Sequence, residues 1–234
     1  PLGSTPSTHI FKLPLGFIGR GQIDLSTSVE NEWLCSKILT VYGVRCAETK
    51  IAQFEDEKAL IVTRFDRRLS SDETWWVRLP QEDMCQATGV SPNMKYESEG
   101  GPGILPIMKL LLGSRNSLND RIEFFKTQVL FWMLAAIDGH AKNFSIFIEP
   151  EGRFVLTPVY DVLSAYPVMG YSSYTLSPEK VRMAMAVHGK NRHYRWKNIC
   201  TRHWMRTAEL SGLNEKTVRE IMIELAENTS EVID

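Results

Sequence analysis

The chain has 234 residues, of which 43% are hydrophobic, and its 27 Lys and Arg nearly balance its 28 Asp and Glu. This balance gives no overall bias toward nucleic acid or a membrane surface, and no apolar run reaches the roughly 18 residues of a spanning helix. The four cysteines lack the paired spacing of a zinc site, which favours reduced thiols in a cytoplasmic protein.

The first elements in chain order are a terminal tag, a strand and a loop. Residues 1–4 resemble the scar of a cleaved expression tag, and a strand predicted at residues 10–15 follows so soon that we expect the chain to be part of a longer protein. Lys12 in this strand is either an edge charge or a group that reaches into a cleft to bind phosphates. Residues 16–21 predict a loop, and its Gly19-Arg20-Gly21 is too sparse for a phosphate-binding loop.

The next stretch predicts a helix from residue 27 to about residue 42. Thr27 to Glu30 have the form of a capping box, and Gly43 ends the helix. We expect its buried face to contain Val29, Trp33, Leu34 and Ile38. Glu32 in the first turn either favours the helix dipole or, if Lys12 binds phosphate, pairs with that lysine.

Two strands are predicted next, at residues 50–54 and 59–63, and the second is apolar enough to be covered on both faces. The polar residues 63–68 after it are either a kinase-like hinge that binds adenine or an ordinary strand end with solvated charges. Residues 75–79 predict a further strand, and residues 79–85 predict the start of a helix.

Two helices are predicted beyond the glycine-rich break at residues 97–103. One covers residues 104–112, and the other runs from Ser117 to about Ile137. Because its second half is apolar on nearly all faces, the longer helix should be the central buried helix of its lobe. It carries Asp138 at its C-terminal end, where a carboxylate opposes the helix dipole.

Residues 137–161 hold the constellation best suited to catalysis. Asp138 precedes Asn143 by five positions, and a hairpin predicted from residues 144–159 returns Asp161 to their neighbourhood. Phosphoryl transfer uses one carboxylate to orient and deprotonate the acceptor, while an amide oxygen and a second carboxylate bind Mg²⁺. This spacing predicts Asp138 as the base and Asn143 and Asp161 as metal ligands, or else only a helix end followed by an Asn turn.

The C-terminal part contains a basic segment and a final helix. The segment, residues 180–206, has eight Lys or Arg, three His and no acidic residue. Such a segment can hold nucleic acid or an acidic protein surface, or it can be a solvated helix face with a few core aromatics. A helix at about residues 215–226, capped by Asn214, packs through Val218, Ile221, Met222 and Leu225.

Eight motifs in this order carry a resemblance that none of them carries alone. They are THIFKLP from residue 8, ENE from 30, RFDRR from 64, LPQEDMCQ from 79, KYES from 95, DGHAKNFS from 138, LTP from 156 and YD from 160. With them the sequence resembles the HipA family of serine/threonine kinase toxins from bacterial toxin–antitoxin operons. The resemblance implies an α+β, protein-kinase-like two-lobed fold, with a partial N-terminal lobe at residues 5–66, a hinge near 63–66 and a mostly helical C-terminal lobe at 67–234 that contains the catalytic hairpin 138–161.

The same resemblance implies ATP and Mg²⁺ as cofactors and Asp138 as the catalytic aspartate. Lys12 would bind ATP phosphates with Glu32 as its partner, while Asn143 and Asp161 would bind Mg²⁺. The hinge residues would be Thr63, Arg64 and Phe65. The remaining nucleotide site would be formed by His140, Ala141, Lys142, Asn143, Tyr160, Asp161, Val162 and Leu163. His140 stands where many protein kinases have a lysine near the γ-phosphate.

Family members phosphorylate an aminoacyl-tRNA synthetase and are neutralised by a HipB-like DNA-binding antitoxin, which implies a bacterial cytoplasmic protein without a membrane partner. Family members are longer than this chain. Their N-terminal region includes a glycine-rich loop and an autophosphorylated serine, and neither lies in the present sequence. A non-catalytic docking module for antitoxin or nucleic acid through residues 180–206 remains the alternative, and a small-molecule kinase is a third possibility.

Overall fold

The structure of the chain is a computed structural model that describes residues 6–19 and 23–229. The predicted tag scar at residues 1–4, and Arg20 and Gly21 of the predicted loop, lie outside these residues.

The first part of the chain forms a three-stranded antiparallel sheet, a hairpin and one helix. The elements are β1 (His9–Lys12), β2 (Gly16–Ile18), β3 (Ile23–Leu25), α1 (Ser28–Val41), β4 (Thr49–Phe54) and β5 (Glu57–Thr63). Strand β5 lies between β1 and β4. Its residues 59–62 are buried, which confirms the prediction of a covered strand. Residues 16–18, at the start of the segment predicted to be a loop, form β2, which pairs with β3.

Helix α1 forms where predicted, but two details of the prediction are wrong. The side chain of Thr27 makes no capping hydrogen bond, and Glu30 pairs with Lys58 of β5 instead. Leu34 is 52% exposed rather than buried. The helix rests on the face that carries Val29, Glu32, Cys35 and Leu39, so that a carboxylate lies within its buried face.

The rest of the chain surrounds a long central helix. Its elements are β6 (Arg67–Leu69), β7 (Trp76–Arg78), β8 (Gln81–Asp83), α2 (Met84–Ala87), α3 (Ile104–Leu110), α4 (Ser117–Met133), β9 (Ser145–Ile148), β10 (Phe154–Leu156), β11 (Arg182–His188), β12 (Arg192–Arg195), α5 (Thr201–Ser211) and α6 (Glu215–Glu227). Phe124, Phe125 and Leu130 of α4 are fully buried, which confirms its central position.

The predicted hairpin is confirmed as β9–β10, with a third strand beside it. Strand β8 pairs with β9, so Gln81 to Asp83 are not the start of a helix as predicted. The helix begins at Met84. Asp83 caps it, because its carboxylate accepts the Gln86 N–H at 2.9 Å and the Gln86 side chain accepts the Asp83 N–H at 3.0 Å.

Helix α4 is shorter than predicted. It ends at Met133, and Ala135 adopts a positive φ of 47° as the chain turns away. Asp138 therefore lies in a loop five residues beyond the helix, not at its C-terminal end. The predicted conflict between its carboxylate and the helix dipole does not arise.

The basic segment 180–206 is mostly a hairpin rather than a helix face. Strands β11 and β12 form it, and α5 begins only at Thr201. The final helix α6 is confirmed, and the Asn214 side chain accepts the Lys216 N–H at 2.8 Å as its cap. Among the helices in the described part of the chain, none has the length and apolar composition to cross a membrane.

Asp66 connects the end of β5 to the segment that follows it. Arg64 donates two hydrogen bonds to its carboxylate, at 3.0 and 2.9 Å, and Arg67 pairs with the same group. The backbone carbonyl of Asp66 accepts the Leu79 N–H at 2.9 Å. Burial acts to raise the pKa of Asp66, but the two arginines outweigh it and hold the pKa below its ordinary value.

We expect Asp66→Asn to lower the free energy of unfolding by about 3 kcal/mol near neutral pH, because it removes the carboxylate partner of a buried guanidinium. The folded state binds fewer protons at this carboxyl than the unfolded chain does, so the stabilisation is present above the ordinary pKa of 3.8 and is lost as pH falls through the folded pKa.

Urea denaturation at a series of pH values measures both effects. The two proteins should converge in the acid range, whereas a difference that stayed constant to about pH 3 would contradict the assignment. Asp56→Asn, at an exposed turn, is the matched control and should change stability by less than about 0.5 kcal/mol.

Candidate active site

A lysine bridge joins three distant parts of the chain. Lys12 of β1 places its Nζ 2.6 Å from Glu32 Oε1 of α1 and 2.7 Å from Asp161 Oδ1, which follows β10. The Glu32 side chain is 8% exposed, whereas that of Asp161 is 47% exposed. One cation therefore compensates a buried carboxylate and a second that is open to solvent.

The environment sets the charge of each partner in a different way. Burial lowers the pKa of Lys12, but the two carboxylates outweigh it and the pKa lies above its ordinary value. Burial also raises the pKa of Glu32, and the lysine offsets this only in part because Glu32 is the more buried partner. Lys12 therefore remains a cation at neutral pH, directed at the exposed carboxylate.

Asp161 is held in an unusual backbone conformation. Its φ is 61°, a left-handed value that costs energy for a residue with a side chain. Asn143 donates from Nδ2 to Asp161 Oδ2 at 3.2 Å, and its Oδ1 accepts the His140 N–H at 3.1 Å. Both carboxylate oxygens of Asp161 are thus oriented, one by Lys12 and one by Asn143.

Helix α1 is fastened to the segment after Asp161 by a reciprocal pair of hydrogen bonds. Asn31 Nδ2 donates to the Ser164 carbonyl at 2.8 Å, and Asn31 Oδ1 accepts the Ser164 N–H at 3.0 Å. The Ser164 hydroxyl also donates to the Leu134 carbonyl at 2.6 Å. The neighbour of Glu32 is therefore bonded to a residue three positions beyond Asp161.

Among the described residues, Asp138 makes no hydrogen bond with Asn143 or Asp161. Its side chain accepts a hydrogen bond of 2.5 Å from the Tyr96 hydroxyl, and its backbone carbonyl accepts the His140 N–H at 2.8 Å. The structure thus joins Lys12, Asn143 and Asp161 directly, while Asp138 is linked to them through the backbone of His140. Sequence reasoning quoted Tyr96 in a motif but gave it no role.

His140 is buried between these carboxylates, with 6% of its surface exposed. Its Nδ1 has no hydrogen-bond partner among the described residues. Burial lowers the pKa of His140, and Asp138 opposes this only in part, so the ring is neutral at pH 7. A place beside the γ-phosphate for this ring stays a prediction.

A cavity of about 270 Å³ opens beside the lysine bridge, and the three predicted hinge residues Thr63, Arg64 and Phe65 line it. Its apolar walls include Ile10, Val62, Phe65 and Tyr160. The Tyr160 hydroxyl is fixed by Ser145 Oγ at 2.6 Å and by the Lys142 carbonyl at 2.8 Å. Asp66, the last residue of the predicted hinge near 63–66, also lines the cavity, as does Gln81, to which sequence reasoning had given no role.

Six of the predicted nucleotide-site residues do not line this cavity, namely His140, Ala141, Lys142, Asn143, Val162 and Leu163. Ala141 and Val162 are buried, and Lys142 pairs with Asp83 at 3.3 Å. Leu163 lines a neighbouring cavity of about 370 Å³ on the other side of the lysine bridge. No local sequence pattern separated these residues from those that line the cavity, because the distinction depends on the turns before β9 and after β10.

A comparison with known protein families gives a match over almost the whole chain. Residues 2–233 match the HipA-like C-terminal domain. The chain belongs to this family.

Two curated relatives are each 30% identical to this chain over the aligned residues. The putative kinase Y4mE of Sinorhizobium fredii aligns over all of this chain and 51% of its own length, and the serine/threonine-protein kinase toxin HipA of Shewanella oneidensis aligns over 69% of this chain and 38% of its own length. The chain therefore spans about half the length of these curated relatives, or less.

Two solved structures share the fold. HipA of Shewanella oneidensis, in complex with HipB and operator DNA, is 25% identical with a TM-score of 0.79 and covers 97% of this chain and 51% of its own. The kinase CtkA of Helicobacter pylori is 9% identical with a TM-score of 0.56 and covers 91% of this chain and 78% of its own. The chain has an α+β, kinase-like fold.

Gly139 separates Asp138 from His140, and the core leaves no room for a side chain there. A Cβ at this position would lie 2.3 Å from Phe131 Cδ2, and the Phe131 ring is 1% exposed. We expect Gly139→Ala to destabilise the protein by about 1–3 kcal/mol through overpacking, measured by urea denaturation.

Gly113→Ala is the matched control, because a Cβ there would meet Phe154 at 3.4 Å, which is near ordinary contact. It should cost less than about 1 kcal/mol. Equal losses in the two variants would show that contact with Phe131 is not the reason for the glycine.

Proposed function

We propose that this chain carries the active site of an ATP-dependent serine/threonine protein kinase of the toxin type. The observation that supports this most is the lysine bridge, in which Lys12 contacts Glu32 and Asp161 at the edge of the 270 Å³ cavity. Kinases use such a lysine for nucleotide phosphates and such a glutamate to hold it in place.

ATP would lie with its adenine in the cavity and its phosphates toward Lys12. Ile10, Val62, Phe65 and Tyr160 offer apolar surfaces to a flat base. The N–H groups of Thr63 and Arg64 already donate to the carbonyls of Glu48 and Thr8, each at 2.9 Å. Adenine recognition at the hinge would therefore use other backbone groups, such as those of Phe65.

Asn143 and Asp161 fit a magnesium ion bound with the nucleotide. They supply an amide and a carboxylate oxygen, the hard donors that Mg²⁺ takes beside phosphates, and the half-exposed Asp161 can exchange its contact with Lys12 for such a ligand. When bound, the ion would neutralise charge that develops on the phosphates. No cluster of three or more His, Cys, Asp or Glu within residues 6–19 and 23–229 could hold a metal by itself.

Asp138 would act on the acceptor. Its carboxylate orients the attacking hydroxyl and takes its proton, the role of the catalytic-loop aspartate in kinases. His140 holds the loop through its backbone N–H, and its neutral ring adds no positive charge that would compete with Lys12.

The acceptor and partners come from the relatives and from the resemblance. Because a relative is named a serine/threonine-protein kinase toxin, we propose a protein hydroxyl as the acceptor, and from the family resemblance an aminoacyl-tRNA synthetase. Because the solved relative is in complex with HipB and operator DNA, we propose a HipB-like antitoxin as partner, in the bacterial cytoplasm.

Asp138→Asn should reduce phosphoryl transfer by about 10²–10⁴-fold and leave the Kd for Mg·ATP within twofold, because the base does not bind nucleotide. Lys12→Met should instead weaken Mg·ATP binding, as it removes a cation from the phosphate site. Calorimetry measures binding, and labelled γ-phosphate transfer to proteins of a bacterial lysate measures activity.

Asp56→Asn is the control for both measurements and should match the unmodified chain. Absence of Mg·ATP binding, or full transfer by Asp138→Asn, would contradict the proposed function. Parallel assays on the full-length gene product relate these results to the whole protein.

A docking role for the basic segment is the second candidate. A cavity of about 650 Å³ there is lined by Lys190, His193, Arg202, His203 and Arg206 among others. Lys190 and Arg202 form no ion pair with any described residue. By contrast, Lys197 pairs with Glu179 at 2.5 Å and Arg192 lies 3.9 Å from Glu97. Of the three Lys and Arg that line this cavity, Arg206 pairs with Glu209 at 2.7 Å, so Lys190 and Arg202 are the two left available to a nucleic acid or an acidic surface.

We expect Lys190→Glu with Arg202→Glu to weaken binding to duplex DNA at least about tenfold and to leave Mg·ATP binding unchanged. Fluorescence anisotropy with labelled DNA measures this at two salt concentrations. Lys50→Glu with Lys109→Glu makes the same change in net charge elsewhere, so equal losses in the two variants would exclude a local docking site.

A further inference from the structure

The Tyr96 hydroxyl is the only side-chain group in the described part of the chain that hydrogen-bonds Asp138. It donates to Oδ1 at 2.5 Å. Oδ2 has no partner among the described residues. The Tyr96 hydroxyl therefore holds Oδ1 of Asp138, whereas Oδ2 is free of hydrogen bonds to the described residues.

The backbone on either side of Tyr96 is fastened to its surroundings. The Lys95 carbonyl accepts the Ala141 N–H at 3.3 Å, and the Tyr96 carbonyl accepts the Gly101 N–H at 2.9 Å. A Cβ on Gly101 would stand 2.2 Å from the Met94 carbonyl oxygen, so only glycine allows this close approach. Tyr96 and the loop that carries Asp138 are thus held together through the backbone.

The residue after Tyr96 fastens this segment to β11. The Glu97 carboxylate accepts the Ala186 N–H at 2.6 Å, and the Glu97 side chain is 8% exposed. The Tyr96 ring itself meets the His140 ring edge-on, with centroids 5.2 Å apart, and Lys95 Nζ lies 5.1 Å from its centroid. Packing and hydrogen bonds on several sides therefore determine where the phenol points.

The phenol remains a donor across the physiological range. Burial and the hydrogen bond to Asp138 both raise the pKa of Tyr96 well above its ordinary value. A group that keeps its proton can donate to a carboxylate but cannot take a proton from an acceptor. Tyr96 is therefore suited to orienting a base and not to acting as one.

We propose that Tyr96 is a positioning residue for Asp138, which holds Oδ1 so that Oδ2 faces the acceptor hydroxyl. This inference rests on the proposed kinase function. The proton of the acceptor hydroxyl passes to Oδ2 of Asp138 while the hydroxyl oxygen bonds to the γ-phosphorus of ATP. The bond between that phosphorus and the β–γ bridging oxygen breaks, and ADP leaves. A carboxylate free to rotate would present Oδ2 to the acceptor for only part of the time.

Tyr96→Phe tests this, because it keeps the ring that packs against His140 and removes only the hydroxyl. We expect kcat for transfer to dephosphorylated casein to fall about 10- to 100-fold, the range that corresponds to one hydrogen bond to a charged group. KM for ATP and the Kd for Mg·ATP should stay within twofold. Tyr42→Phe is the control, because it also loses one phenol contact, to Thr229 at 3.0 Å, and should keep the full kcat.

A double variant separates positioning from a structural role. If Tyr96 acts through Asp138, Tyr96→Phe should lower the residual single-turnover rate of Asp138→Asn by less than twofold. A further tenfold loss there would overturn the positioning role and leave the kinase function standing. The same holds if the kcat of Tyr96→Phe stays within twofold of the unmodified chain while Asp138→Asn loses transfer by about 10²–10⁴-fold. Full activity of Asp138→Asn would overturn both.

Discussion

The geometry of the site depends on one cation shared by two carboxylates. Lys12 lies within 2.7 Å of both Glu32 and Asp161, and these three residues come from a strand, a helix and a distant loop. A buried carboxylate without a partner is strongly destabilising, so the lysine both fixes the site and offsets the burial of Glu32. The exposed carboxylate at the other end is the one left accessible to a ligand.

Backbone hydrogen bonds, as well as the ion pairs of Lys12, hold the segment that leads to Asp161 in place. The segment before β4 runs parallel to the chain before Asp161, since the Ala47 N–H donates to the Val159 carbonyl at 2.8 Å and the Val159 N–H donates to the Arg45 carbonyl at 2.7 Å. Arg45 also pairs with Glu123 of α4 at 2.7 Å. The residues that precede Asp161 are thereby positioned against both the N-terminal sheet and the central helix.

Local patterns predicted the elements whose sequence and surroundings agree. The apolar run of β5, the turn between β9 and β10 and the Asn214 cap of α6 were all evident from a few adjacent residues. Strand β8 was missed because Glu82 and Asp83 have low strand propensity, and the strand is defined by its pairing with β9. The end of α4 and the contact between Tyr96 and Asp138 were missed because long-range packing determines them. The carboxylates and the lysine could be proposed from spacing and family resemblance, but which atoms meet could not.

The bonds between Asn31 and Ser164 restrict the movement of helix α1. Many kinases turn off by swinging the glutamate-bearing helix away from its lysine. Here that swing would break two amide hydrogen bonds, at 2.8 and 3.0 Å, together with the ion pair. Each such bond contributes about 1 kcal/mol, so the outward state is disfavoured before any ligand arrives. A ligand that fills the cavity beside Lys12 would not have to break these bonds, whereas a ligand that moved helix α1 outward would.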